Sequence, residues 1–92
     1  MGFKGCMNLI NISIPSTVYN IAKEAFKDCT HLSSITLPNG IKYIGDGAFF
    51  NTDIKSVRIP SSCHYQKEFE KDYYSSDTYL TSFPANCTIT LI

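Results

Sequence analysis

Ala25-Phe26-Lys27-Asp28-Cys29-Thr30-His31-Leu32-Ser33-Ser34-Ile35-Thr36-Leu37-Pro38-Asn39-Gly40-Ile41-Lys42-Tyr43-Ile44-Gly45-Asp46-Gly47-Ala48-Phe49 opens and closes on the same dipeptide, Ala-Phe, at an interval of 23 residues. That interval recurs upstream. Phe3 precedes Phe26 by 23, as do Cys6 and Cys29, Leu9 and Leu32, Ile12 and Ile35, Ile14 and Leu37, and Pro15 and Pro38. Val18 pairs with Ile41 and Ile21 with Ile44 in the same way. Downstream the register slips by one: Ile54, Val57, Ile59 and Pro60 follow Leu32, Ile35, Leu37 and Pro38 at 22, and Thr52 stands in the Cys6/Cys29 column. The lost residue falls between Phe49 and Ile54, in a turn, where a deletion costs least.

Within the unit, Ser34-Ile35-Thr36-Leu37 alternates polar and apolar residues, the period of a half-buried strand. Pro38 ends it by removing a ladder donor, and Asn39-Gly40 is a turn dipeptide. Ile41 and Ile44 return an apolar pair to the interior, Gly45-Asp46-Gly47 permits a tight bend, and Ala48-Phe49 fills the next corner. Residues Ile21 to Lys27 are expected to form one or two helical turns. No single unit can bury its own apolar row, so units must stack with equivalent strands parallel and about 4.8 Å apart. The expected fold is α/β, a right-handed solenoid with one short strand per turn and short helical or turn segments between strands.

The A-F-x-x-C-x-x-L-x-x-I-x-L-P run followed by I-x-x-I-G, at Ala25 to Gly45, resembles the BspA-like leucine-rich repeat. Its unit length lies in the leucine-rich-repeat range. The resemblance covers about residues 3–63. It implies a surface-exposed or secreted protein that adheres to host or extracellular proteins, and a repeat with no catalytic residues of its own.

The expected organisation is a single domain with repeats at about 3–25, 26–48 and 49–63, and a degenerate unit at 64–92 that caps the stack. Residues Thr88-Ile89-Thr90-Leu91 alternate again and read as a fourth strand, 32 residues after Ile59 at Leu91, so this unit carries an insertion. The tyrosines of that insertion, Tyr65, Tyr73, Tyr74 and Tyr79, allow a second reading as a binding surface. At the other end the chain enters in repeat phase at Phe3, an uncapped edge that allows end-to-end contact.

The polar positions of the strands share one face, the expected concave recognition surface of a repeat stack. They are Asn11 and Ser13, Ser34 and Thr36, and Ser56 and Arg58, with Thr88 and Thr90 if the fourth strand forms, and Ile10, Ser33 and Lys55 flank them. The competing reading is that these are merely solvated strand formers. A protein partner is expected there. Eight basic residues balance eight acidic ones, so no global field draws nucleic acid. No stretch approaches the roughly 20 apolar residues of a membrane-spanning helix.

No catalytic, metal-binding or cofactor-binding residue is assigned. The four cysteines, Cys6, Cys29, Cys63 and Cys87, show no C-x-x-C pairing, which zinc sites use. Cys6 and Cys29 share a column within reach of a disulfide, yet small buried hydrophobes are the simpler reading. Cys63-His64 places a thiol beside a base, but sequence neighbours point apart and no third group orients them. The first residues contain no apolar signal region. A surface location therefore rests on the resemblance, and the alternative is an intracellular scaffold module. Asn11 and Asn86 lie in glycosylation sequons, which matter only in a secretory pathway.

Overall fold

A computed structural model describes residues 5–72, 74–75 and 78–92. Phe3 and Tyr73 therefore lie outside the described residues. Within them are nine short strands and no helix: β1 (Asn11–Ser13), β2 (Asn20–Ile21), β3 (Ser34–Thr36), β4 (Tyr43–Ile44), β5 (Ser56–Ile59), β6 (His64–Tyr65), β7 (Glu70–Lys71), β8 (Thr78–Tyr79) and β9 (Thr88–Leu91).

The first two strand pairs follow the sequence period. β1 runs parallel to β3 with Ile12 opposite Ile35, and β2 parallel to β4 with Ile21 opposite Ile44. β4 in turn pairs with β6, and β5 with β9, where Ile59 meets Leu91. The fourth strand read from Thr88 to Leu91 thus lies where the alternation places it. The sheets are small and separate: β1-β3, β2-β4-β6, β5-β9, and an antiparallel β7-β8 hairpin.

Turns recur with the repeat, including its one-residue slip. The amide of Val18 donates to the Pro15 carbonyl at 3.0 Å, that of Ile41 to Pro38 at 3.2 Å and that of Cys63 to Pro60 at 3.0 Å. A proline follows β1, β3 and β5, and the turn after it folds the chain back.

The expected helical turns between Ile21 and Lys27 are absent, and the backbone shows why. The amides of Glu24, Phe26 and Asp28 donate to the carbonyls of Asp46, Ala48 and Phe50 on the neighbouring turn of chain, at 3.1, 2.7 and 3.0 Å. The intervening amides of Ala25, Lys27 and Cys29 each reach back three residues. Half the donors are spent between turns of chain, so a run of bonds within one segment cannot build. Positive φ at Glu24 (58°), inside the segment, and at Asp28 (65°), just after it, interrupts any helix, because a right-handed helix needs φ near −60°. The left-handed positions also keep the period: Gly5, Asp28 and Asn51 form one series and Glu24 and Gly47 another. Asp and Asn tolerate this region better than most side chains do, and Asn51 Nδ2 donates to Asp28 Oδ1 at 3.0 Å.

The core is built from repeated columns. The rings of Phe26 and Phe49 stack at 5.1 Å with 4° between planes, and Phe83 continues on Phe49 at 5.1 Å and 11°. Leu32 and Ile54 are buried in one column, Ile21 and Ile44 in another. Leu9, Ile12 and Ile14, in the first turn of chain, are only partly buried. They have a neighbour on one side, whereas Leu32, Ile41 and Ile44 have one on each.

Between β6 and Phe83 the chain makes an excursion of its own. Gln66 and Ser82 close its base: the Gln66 amide donates to Ser82 Oγ at 2.9 Å, and the Ser82 amide to the Gln66 carbonyl at 3.0 Å. Ser82 Oγ in turn donates to the Gly45 carbonyl at 2.9 Å. The chain then rejoins the repeat, with Gly47 donating to Leu80 and Phe49 to Ser82.

Candidate functional site

Strand alternation turns Asn11, Ser13, Ser34, Thr36, Ser56, Arg58, Thr88 and Thr90 to solvent, while Val57 and Ile59 point inward and Ile12 and Ile35 are half-buried. Register aligns them in rows: Asn11 beside Ser34, Ser13 beside Thr36, Ser56 beside Thr88, and Arg58 beside Thr90.

This face is divided. β3 and β5 belong to different sheets. Ser34 and Thr88 donate backbone bonds to Ile10 and Lys55, but among the described residues β5 makes no corresponding bond to Ser33. The break coincides with the turn of chain that has lost a residue. Along it runs an open groove of about 640 Å³, lined by Ser34, Thr36, Ser56, Arg58 and Thr90 over a floor that includes Ile35 and Val57.

The groove gathers Ser34, Thr36, Ser56 and Arg58 from the face singled out in the sequence. Asn11 and Ser13 are exposed on β1, beyond β3 and outside the groove. Lys55 also lies outside it, its Nζ held 2.8 Å from Asp53 Oδ1 in an exposed pair. Such a pair contributes little to stability, but it ties up the cation. Thr90, an outward position once the fourth strand forms, joins the four groove residues, while sequence reasoning missed the groove itself. The missing residue before Ile54 was the only signal of it.

Three of the four thiols are held away from nucleophilic chemistry. All four cysteines are free. Cys29 and Cys63 are buried, and burial pushes both thiols, and that of Cys87, above the ordinary value. A reactive thiol is shifted the other way. Cys63 Sγ–H faces the His64 carbonyl at 3.8 Å, while the His64 side chain is exposed. His31 is exposed too, with Nδ1 2.8 Å from the Met7 carbonyl. No helix among the described residues is long and apolar enough to cross a membrane.

Parallel strands at the repeat interval, proline-terminated turns and a stacked phenylalanine column together define a repeat family. A sequence model for the BspA type leucine rich repeat region matches residues 1–92, in six copies. The chain belongs to the BspA-type leucine-rich-repeat family. No curated protein and no solved structure shows a significant match to it. BspA-type repeats, like leucine-rich repeats in general, are typically non-enzymatic modules of protein interaction, and the family is typically surface-associated.

Proposed function

We infer that this chain is a non-enzymatic adhesion module, a right-handed solenoid that binds an extracellular protein through the strand face. The observation that carries this reading is the groove between β3 and β5, with Arg58 exposed above a row of hydroxyls and without a partner among the described residues. Arginine and hydroxyl groups suit a polar protein surface carrying carboxylates. The residues after 63 close the stack as a degenerate unit. This is supported by the pairing of β9 on β5 and of Phe83 on Phe49.

The test is surface plasmon resonance against a panel of immobilised extracellular-matrix proteins. Arg58→Ala is expected to weaken binding about tenfold, the scale of one charge-assisted hydrogen bond. Lys55→Ala has a smaller effect, because that cation is shared with Asp53. Binding that survives both substitutions unchanged removes this face from consideration.

A second reading, an intracellular scaffold unit, is favoured by the four free cysteines, since exported proteins tend to pair theirs. Thiol titration of natively expressed protein separates the two. Four reactive equivalents after denaturation favour the intracellular reading, and fewer favour export.

A further inference from the structure

The excursion after Gln66 forks one turn of the stack. β6 follows β4 as far as Tyr65, and the chain regains the repeat at Leu80, whose carbonyl accepts from the Gly47 amide. Asp46 sits between those two attachment points. Its neighbour on the preceding turn of chain is Lys23, but on the following side the two branches of the fork diverge. The space between them is a cavity of about 210 Å³ lined by Asp46, Tyr43, Tyr65, Gln66, Tyr79 and His64.

Asp46 is only 9% exposed, and its Oδ2 is buried without a hydrogen-bond donor. Lys23 Nζ stands 4.0 Å from that oxygen, close enough to share charge but too far for a hydrogen bond. Lys23 is itself largely exposed and does not line the cavity. A single, largely exposed ammonium compensates the carboxylate only in part, so the wall that Asp46 lends the cavity carries negative charge that favours a cation inside.

The rest of the lining narrows the chemistry. Three tyrosines line the same cavity as Asp46, and aromatic faces attract cations. The Tyr65 ring already carries one: Lys67 Nζ lies 5.3 Å from its centroid, and Lys67 lines a different hollow. A hard divalent ion demands a shell of oxygen ligands, and here one carboxylate and one amide are at hand. A primary ammonium is compact and strongly hydrated. A methylated ammonium is larger, weakly hydrated and suited to aromatic walls. The volume admits a headgroup or the end of a side chain, and falls short of the roughly 300 Å³ at which drug-sized pockets begin.

We propose that the Asp46 cavity is a binding site for a methylated ammonium group, with Asp46 supplying the charge and Tyr43, Tyr65 and Tyr79 the walls. The site is separate from the strand-face groove and does not depend on that reading.

The experiment titrates the full chain with tetramethylammonium chloride, followed by calorimetry and by intrinsic tyrosine fluorescence. Saturable binding is expected in the millimolar range or tighter. Asp46→Asn, which preserves shape, and Tyr43→Leu, at a half-exposed position that does not endanger folding, should each weaken it by about tenfold. Arg58→Ala should leave it unchanged. Choline and a trimethyllysine peptide form two further arms. Tighter binding of the peptide assigns the group to a polypeptide side chain, and equal binding assigns it to a free headgroup. Absence of saturable binding, or equal binding by wild type, Asp46→Asn and Tyr43→Leu, overturns the proposal.

Discussion

Ser82 shows how much one hydroxyl can hold. It is fully buried, accepts the Gln66 amide and donates to the Gly45 carbonyl, so it ties the two ends of the excursion to the preceding turn of chain. Ser82→Ala leaves the Gln66 amide without its acceptor and removes one of two bonds to the Gly45 carbonyl, which also accepts from the Ala48 amide. A loss of about 1–3 kcal/mol is expected, read from the urea unfolding midpoint. Gly45 carries a different constraint. A Cβ there would lie 2.5 Å from the Lys23 backbone nitrogen, whereas one at Gly40 would meet open space. Gly45→Ala should therefore lower the thermal midpoint by several degrees, while Gly40→Ala changes it little. The sequence marks both glycines as turn formers and cannot distinguish them, because the obstacle belongs to a residue 22 positions away. Ser82 is equally silent in sequence, since it lies where the period is broken. The left-handed series of Gly5, Asp28 and Asn51 was legible in principle, as three permissive residue types at the repeat interval.

Strands and helices fared differently as readings, for a physical reason. A strand's alternation depends only on which side faces the core, and the spacing of Ile12, Ile35 and Val57 carries that information. Whether Ile21 to Lys27 coils depends on where its amides find acceptors, and the acceptors are on another turn of chain. The aromatic column was legible for Phe26 and Phe49. Its third described member, Phe83, was hidden by an interval of 34 residues. Phe83 is nearly fully buried, stacks on Phe49 and meets the edge of Tyr65. Phe83→Ala should cost about 3–5 kcal/mol, the range for a buried aromatic ring. Most of the loss should appear as a lower urea midpoint with an unchanged slope. A variant that unfolds in two separate steps, with the residues after 63 melting first, would mean that the column does not couple the last unit to the rest.

The molecule as a whole is expected to weaken in alkali. Burial raises the thiols of Cys29, Cys63 and Cys87 above their ordinary 9.0. The unfolded chain then releases these protons at lower pH than the folded one. Their contribution to stability is complete below the ordinary value and is lost as pH rises through the folded values. Urea midpoints measured from about pH 8 upward should fall, and the fall should be shallower in Cys63→Ala than in wild type. Equal slopes would mean that the Cys63 thiol is not responsible.

The divided strand face also bears on motion. Coils on either side of the β3–β5 boundary remain joined through β4-β6 and through the bonds from Gly47 and Phe49. Breathing there should swing about those joined sides as about the spine of a book, and because the Asp53 amide holds the Leu32 carbonyl at the near end of the face, the far end should part most. The Ser56 amide should exchange with deuterium well before that of Thr88, its register partner on β9. A guest seated across the opening would clamp the two covers together and slow that exchange.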